Sequence, residues 1–265
     1  MHDVLFARHQ EWIDLEPSAF TTWLISAAED LELDLVTFED DLDSQKYEQL
    51  MLDAHAEAVA LSIPWTPFLL INGQPFTIET TLINLEQAVR LALLETQKYS
   101  EYPPMQIDLE REYIAHMRLT IGEVVIQLLP ASAPLAVNNF VFLAREGWFN
   151  DNLFYRVRPG QYVESGDPSA LGYGDPGYHF QTEIDPTLTF DSPGMIAMSS
   201  LGPNTNGSRF FITLKPLPQL EGTRTIFGRV ISGLELLHSL QIRDPIADLM
   251  VPPEAVIQSI EIEVR

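Results

Sequence analysis

The chain has 265 residues, no cysteine and a formal net charge of -23, with 46% hydrophobic and 20% charged residues. That length is comfortable for two domains, and the apolar share supplies a sizeable core and argues against wholesale disorder. The charge, offset by no Lys/Arg cluster, disfavours nucleic acid and anionic lipid surfaces, while the absent thiols exclude disulfides, thiolate metal sites and thiol redox chemistry.

From the N-terminus, Met1-His2-Asp3-Val4 lacks the basic head and apolar stretch of a secretory signal, and no apolar run reaches the roughly 18 residues of a membrane span. Residues 1–97 read as mostly helical. Helical spacing appears in Ala19, Trp23, Leu24 and Ala27, and again in Tyr47, Leu50, Met51, Ala54 and Ala58. The run Glu39-Asp40-Asp41-Leu42-Asp43 lacks the central glycine and distal glutamate of an EF-hand loop, so it reads as negative charge ahead of a helix start. Pro67 to Ile71 and Gln74 to Ile78 are apolar runs joined by Asn72-Gly73, a hairpin signal, and a helix over Leu82 to Thr96 follows. This order, with Thr66-Pro67 before the hairpin, resembles the C-terminal half of a DsbA-type thioredoxin-like domain. The resemblance implies that Pro67 is a cis-proline. It also implies that the family's first strand and its Cys-x-x-Cys helix would lie before Met1, so Met1 reads as an internal start. Without cysteines this region reads as a scaffold or a peptide-contacting lobe.

Lys98 to Arg111, with Tyr102-Pro103-Pro104, reads as an exposed connection, giving a linker over 98–112. A second domain over 113–265 opens with alternating strands at Tyr113 to Leu119 and Glu123 to Leu128. A helix follows from Ala133-Pro134, with Val137, Phe140, Leu143 and Ala144 as its apolar stripe. Short strands separated by Gly/Pro/Asp loops come next, suiting a closed antiparallel barrel. A short helix fits Gly233 to Leu240. The last strand, Ala255 to Val264, places Val256, Ile260, Ile262 and Val264 on one face, interrupted by Gln258.

The organising stretch is Gly194 to Leu214. Met195 to Met198 leads through the uncharged turn Gly202 to Ser208 into Arg209 to Leu214, where alternation separates Phe211 and Thr213 from Phe210, Ile212 and Leu214. One aromatic is then core, and the other is free to line a groove. Upstream, Leu153-Phe154-Tyr155-Arg156-Val157 sets a lone cation in an apolar strand, where a guanidinium is either paired or exposed in a cleft. FYRV, Gly166-Asp167-Pro168, GYGDPGY, GPNTNGSRFFITL and IFGRV, in this order, resemble the cyclophilins, a family of peptidyl-prolyl isomerases. That resemblance spans about 113–264. It implies an α+β two-domain protein whose second part is a closed, eight-stranded antiparallel β-barrel with two helices.

On the same resemblance Arg156 is the catalytic arginine, Phe211 and Leu220 are apolar walls of the proline pocket, and Met198, Asn204 and Thr205 line its groove. Departures from the family pattern stand at Gln161, Tyr162, Glu164, Gln219 and Arg224, and Ser199-Ser200-Leu201 occupies the backbone-binding edge. Glu164 is placed to pair with Arg156 or Arg224. Rotation about an X-Pro bond requires no nucleophile, metal or cofactor, only an apolar seat for the ring and a donor for the twisted amide.

Other motifs carry less. Gly172 to Gly177 matches G-x-G-x-x-G but leads into no helix, Asn206-Gly207-Ser208 is a sequon inside a needed turn, and the six histidines show no zinc spacing. The leading reading is an isomerase of X-Pro bonds in peptide or unfolded protein clients, in a bacterial-style two-part protein. The alternatives are a proline-peptide binding module with little turnover, and a thiol oxidoreductase if cysteines lie upstream. An upstream signal would place the protein in the cell envelope; otherwise it is cytoplasmic.

Overall fold

The computed structural model describes residues 1–65 and 67–265, with Gln45 described by its backbone alone. The Thr66-Pro67 bond therefore lies outside the described residues. The chain forms two compact units, Met1–Leu69 and Leu70–Arg265.

The first unit is helical: α1 (His2–Ala7), α2 (His9–Trp12), α3 (Pro17–Asp30), α4 (Leu35–Asp43) and α5 (Glu48–Ala60), the last preceded by a 3-10 turn at Gln45–Tyr47. Pro17 starts α3 where its missing N–H costs nothing, and Ala27 of the predicted apolar stripe is buried together with its neighbour Ala28. Trp12, Phe20 and Trp23 cluster with ring centroids 5.2 to 6.4 Å apart. Ahead of the start of α5, as expected, the acidic run is itself helical and forms the C-terminal half of α4. Its start is fixed upstream because the Asp34 carboxylate accepts the N–H groups of Val36 and Thr37. Among the described residues no acidic or histidine cluster could hold a metal.

The second unit opens with the predicted hairpin, β1 (Leu70–Ile71) and β2 (Gln74–Pro75). Its turn has positive φ at both Asn72 (50°) and Gly73 (76°), the conformation that favours Asn-Gly. Helix α6 (Leu82–Glu95) follows, capped by Thr81 Oγ1, which accepts from Asn84 N–H. The region 1–97 thus does not hold together as one body. Leu94 is buried in the core of the second unit, and Arg90 donates to the Ser169 carbonyl at 3.3 Å. The 98–112 segment is not an exposed connection either. Tyr102 donates to Leu135 O at 2.7 Å, Asn138 accepts from Gln106 N–H at 2.7 Å and donates to Pro104 O, and Ile107 enters the core.

Nine strands form one curled antiparallel sheet: β3 (Tyr113–Leu119), β4 (Gly122–Leu128), β5 (Asn152–Leu153), β6 (Arg156–Arg158), β7 (Tyr162–Ser165), β8 (Met195–Met198), β9 (Phe210–Thr213), β10 (Ile226–Ser232) and β11 (Val256–Val264). The order is β5-β11-β3-β4-β10-β8-β9-β7-β6. The expected closed, eight-stranded barrel is corrected on both counts. One predicted strand breaks at Phe154-Tyr155 into β5 and β6, which sit at opposite edges and do not pair, so the hydrogen-bonded sheet stays open there. Helix α7 (Pro134–Arg145) places Val137, Phe140 and Leu143 in the core, and the short α8 (Leu234–His238) adds Leu237. In β11 a register shift between Ile257 and Ser259 falls at Gln258. This bulge inverts the alternation, so Ile257 and Ile260 both face the core, in place of the single-face set expected from period two.

Candidate functional site

Strand pairing builds the site before any side chain is considered. Arg156 on β6 stands opposite Glu164 on β7, Glu164 opposite Phe211 on β9, and Phe211 opposite Ala197 on β8. Residues directly opposite on adjacent strands share a face, so this is one continuous row. The other face carries Val157, Val163, Ile212 and Ile196, all in the main core. The row's face has its own small apolar cluster of Phe190, Met195, Ala197, Phe211, Leu217 and Ile226, with Tyr162 and Leu220 packed against it. The alternation read in Arg209 to Leu214 therefore separates core from groove as expected.

Above this cluster lies a cavity of about 260 Å³ lined by Arg156, Tyr162, Glu164, Gly172, Ser199, Ser200, Leu201, Arg209, Phe211, Leu220 and Arg224. Its apolar wall is the Phe211 ring, 5.9 Å from Phe190 in a stacked arrangement and 6.0 Å from Tyr162 edge-on. Its polar wall is built on Glu164, only 3% exposed. That carboxylate pairs with the Arg156 guanidinium and accepts from the hydroxyls of Tyr155, at 2.9 Å, and Ser199. Burial works against the Arg156 charge, but the attraction and hydrogen bond of Glu164 outweigh it and hold the arginine's pKa above its ordinary value. Burial, and then the Glu164 charge, push the Tyr155 phenol well up, so it remains a donor. Glu164 uses Nη1 of Arg156. Nη2 lies beside Gly172, where an added Cβ would stand 3.2 Å away, and φ there is +83°, so glycine suits both the turn and the space.

Nine of the predicted residues thus line one cavity. Four do not. Met198 is buried in the main core, because alternation along β8 turns it inward with Ile196. Gln161 is exposed in the β6–β7 turn, held by its backbone to Arg158 and Leu214. Asn204 caps the neighbouring loop, its side chain accepting from Thr182 N–H at 2.9 Å, and Gln219 is exposed on the 3-10 turn Pro218–Leu220. Thr205 lines an adjoining cavity of about 120 Å³. Of the two partners offered for Glu164, Arg156 takes it. Arg224 instead donates to the Ser200 carbonyl at 3.2 Å and to its hydroxyl at 2.7 Å.

Arg209 and Gly172 are site residues that sequence reasoning missed. The argument that singled out Arg156, a lone guanidinium leading an apolar strand, applies equally to Arg209. The glycines of the G-x-G-x-x-G match are occupied by the protein itself. Buried Asp167 accepts from Gly172 N–H at 2.8 Å and Gly174 N–H at 2.9 Å, which leaves no seat for a phosphate. The sequon residue Asn206 is buried, donating to Gln181 O and to Thr225.

Comparison with known proteins follows the same outline. The family model described as cyclophilin type peptidyl-prolyl cis-trans isomerase/CLD matches residues 114–262. A peptidyl-prolyl cis-trans isomerase-like 1 of Gibberella zeae is 43% identical over 121 residues, 44% of this chain and 75% of the fungal protein. The isomerase ppi1 of Schizosaccharomyces pombe is 38% identical over 148 residues, 54% of this chain and 96% of its own. The crystal structure of a Cryptosporidium parvum cyclophilin type peptidyl-prolyl cis-trans isomerase superposes with a TM-score of 0.53 at 32% identity, covering 58% of this chain and 98% of that one. A second crystal structure of that protein, in the presence of the dipeptide Ala-Pro, gives a TM-score of 0.52. These relatives are fungal, protozoan and, in a further case, from mouse, and they lend no support to a bacterial-style protein. With the curled sheet, the helix packed on it and the arginine-to-phenylalanine row all inside the matched span, the chain belongs to the cyclophilin-type peptidyl-prolyl cis-trans isomerase family.

Proposed function

We propose that this isomerase turns X-Pro bonds in the cavity above the Arg156–Glu164–Phe211 row, with Arg156 as the catalytic donor and Phe211, Leu220 and Tyr162 seating the proline ring. The planar amide resists rotation by about 18–20 kcal/mol because the prolyl nitrogen shares its lone pair with the carbonyl. In the twisted state that lone pair returns to nitrogen and accepts a hydrogen bond that neither planar form makes as well. A donor fixed there lowers the barrier without any bond to the substrate. The observation that carries the reading is the pairing row: it holds Nη1 of Arg156 on Glu164 and sets the guanidinium at the wall of the cavity whose floor is Phe211. Ser199, Ser200 and Leu201 form the edge along which the peptide backbone lies, with Arg224 shaping that edge through Ser200. No cofactor is needed.

A second reading, a proline-peptide binding module of low turnover, draws on Gln161 and Gln219, both exposed where family members carry aromatic surface. Exchange spectroscopy on an Ala-Pro peptide separates the two. The enzyme reading expects Arg156→Ala to lower kcat/KM by about 10²–10³, the usual cost of a lost transition-state donor. Saturable binding without rate enhancement supports the module.

From the chain order helix, Asn-Gly hairpin, helix we infer that residues 1–97 correspond to a partial thioredoxin-like region of the DsbA type, divided between the two compact units and, in the absence of cysteine, acting as a scaffold or client-contacting stretch. Placement in the cell envelope goes with this reading if a signal precedes the module, and the cytoplasm otherwise. Fractionating cells that express the natural gene decides between them.

A further inference from the structure

Arg209 differs from Arg156 in having no carboxylate bonded to it. It is 6% exposed, and its Nη1 donates to the Gly172 carbonyl; among the described residues it forms no ion pair. A buried guanidinium carries five N–H donors, and one carbonyl leaves most of them to whatever enters beside it. Arg209 and Leu201 are shared by the proline cavity and the adjoining cavity, which Tyr173, His179 and Thr205 also line.

Asp167, buried behind Gly172, is spent on the Ser169 N–H and hydroxyl and on the N–H groups of Gly172 and Gly174. Glu164 is committed to Arg156, Tyr155 and Ser199. Asp175, in the adjoining cavity, is answered by Lys98 at 3.6 Å and by Gly177 N–H at 2.8 Å. Arg224, across the proline cavity, is tied only to the carbonyl and hydroxyl of Ser200. Arg209 and Arg224 thus leave a net positive pocket on a chain whose net charge is -23. An extended peptide advances about 3.3–3.6 Å per residue, so a ring seated on Phe211 brings a side chain one or two positions away to the shared wall.

We propose that Arg209 is a specificity-determining residue that selects prolyl peptides bearing a carboxylate side chain within two residues of the proline. This rests on the cavity being the isomerase site. The carboxylate offers a planar acceptor matched to the free edge of the guanidinium, a pairing stronger than a neutral hydrogen bond and disfavoured for a cationic side chain.

The test uses three peptides identical except for Glu, Gln or Lys at the two positions on each side of the proline, with kcat/KM from exchange spectroscopy on the full chain. The expected glutamyl-to-lysyl ratio is about tenfold. It falls to near unity in Arg209→Gln, is retained in Arg209→Lys, and is unchanged in the control Arg118→Gln, whose partner Glu261 lies away from the site. A ratio near unity in the unaltered chain, or one that survives Arg209→Gln, overturns the proposal. Should Arg209→Gln fail to fold, the Arg209 guanidinium ¹⁵N signal of the unaltered chain decides. A shift on adding the glutamyl but not the lysyl peptide supports the proposal, and no difference overturns it. Absence of turnover on all three peptides counts against the isomerase reading, and the same Arg209 signal still judges the selectivity.

Discussion

At the scale of single residues, Glu164 sets the character of the site. A buried carboxylate bound to the guanidinium proposed as the catalytic donor both holds it and dilutes its charge, and two substitutions pull those effects apart. Glu164→Gln keeps an oxygen for Arg156 while removing the counter-charge, so kcat/KM is expected to rise by up to about tenfold, or ~1.4 kcal/mol of barrier. Glu164→Ala removes the anchor as well, leaving Tyr155 and Ser199 without their acceptor, and activity is expected to fall by about tenfold or more. Steady-state kinetics on one Ala-Pro peptide compares both. A fall in Glu164→Gln would show that the ion pair serves the donor rather than tempering it.

At the scale of elements, the loop from Gly166 to Tyr178 supplies one wall of the site and is fastened from within and from without. Inside it, Asp167 accepts from Ser169 N–H at 2.9 Å, the Ser169 hydroxyl at 2.6 Å, and the N–H groups of Gly172 and Gly174. Asp167→Ala leaves those donors unmet in a buried place, at an expected cost of about 3 kcal/mol or more. Outside it, α6 and the following segment clasp the loop. Leu94 packs so closely on Gly174 that an added Cβ there would stand 2.8 Å from Leu94 Cδ2, and Tyr99 N–H donates to Pro176 O at 2.8 Å. Leu94→Ala is expected to cost about 2–5 kcal/mol by urea unfolding, the range for a buried leucine. Because Gly172 borders the cavity, the same variant is expected to raise KM for peptide more than it lowers kcat. Unchanged unfolding would show that α6 is not part of the cooperative unit.

At the scale of the whole molecule, alkaline stability follows from its tyrosines. Burial raises the pKa of Tyr99, Tyr102, Tyr155, Tyr173 and Tyr178, and no opposing contact reverses the direction. A phenol whose folded pKa exceeds its unfolded value of about 10 stabilises the fold fully below that pH and loses the contribution as pH climbs toward the folded value. Stability is therefore expected to decline above about pH 10, with buried phenols ionising together with unfolding. Absorbance titration alongside circular dichroism checks this, and phenols that all ionise before ellipticity is lost would contradict it. By itself the sequence determined an antiparallel sheet, though not that it is open and nine-stranded, both helices packed with it, the Asn-Gly hairpin and the membership of Arg156, Glu164, Phe211 and Leu220 in one cavity. The helices, strands and hairpin follow from periodicity and turn chemistry, and the cavity membership from the family resemblance that contiguous motifs carry, all of them local properties of a chain. Tertiary structure alone decided that Met198 turns inward, that Glu164 chooses Arg156 over Arg224, that Gln258 bulges, that residues 98–112 lie along α7 and that Arg209 has no carboxylate bonded to it. Each of those depends on which distant segment supplies the facing atom, and strand register and burial, rather than spacing along the chain, make that choice.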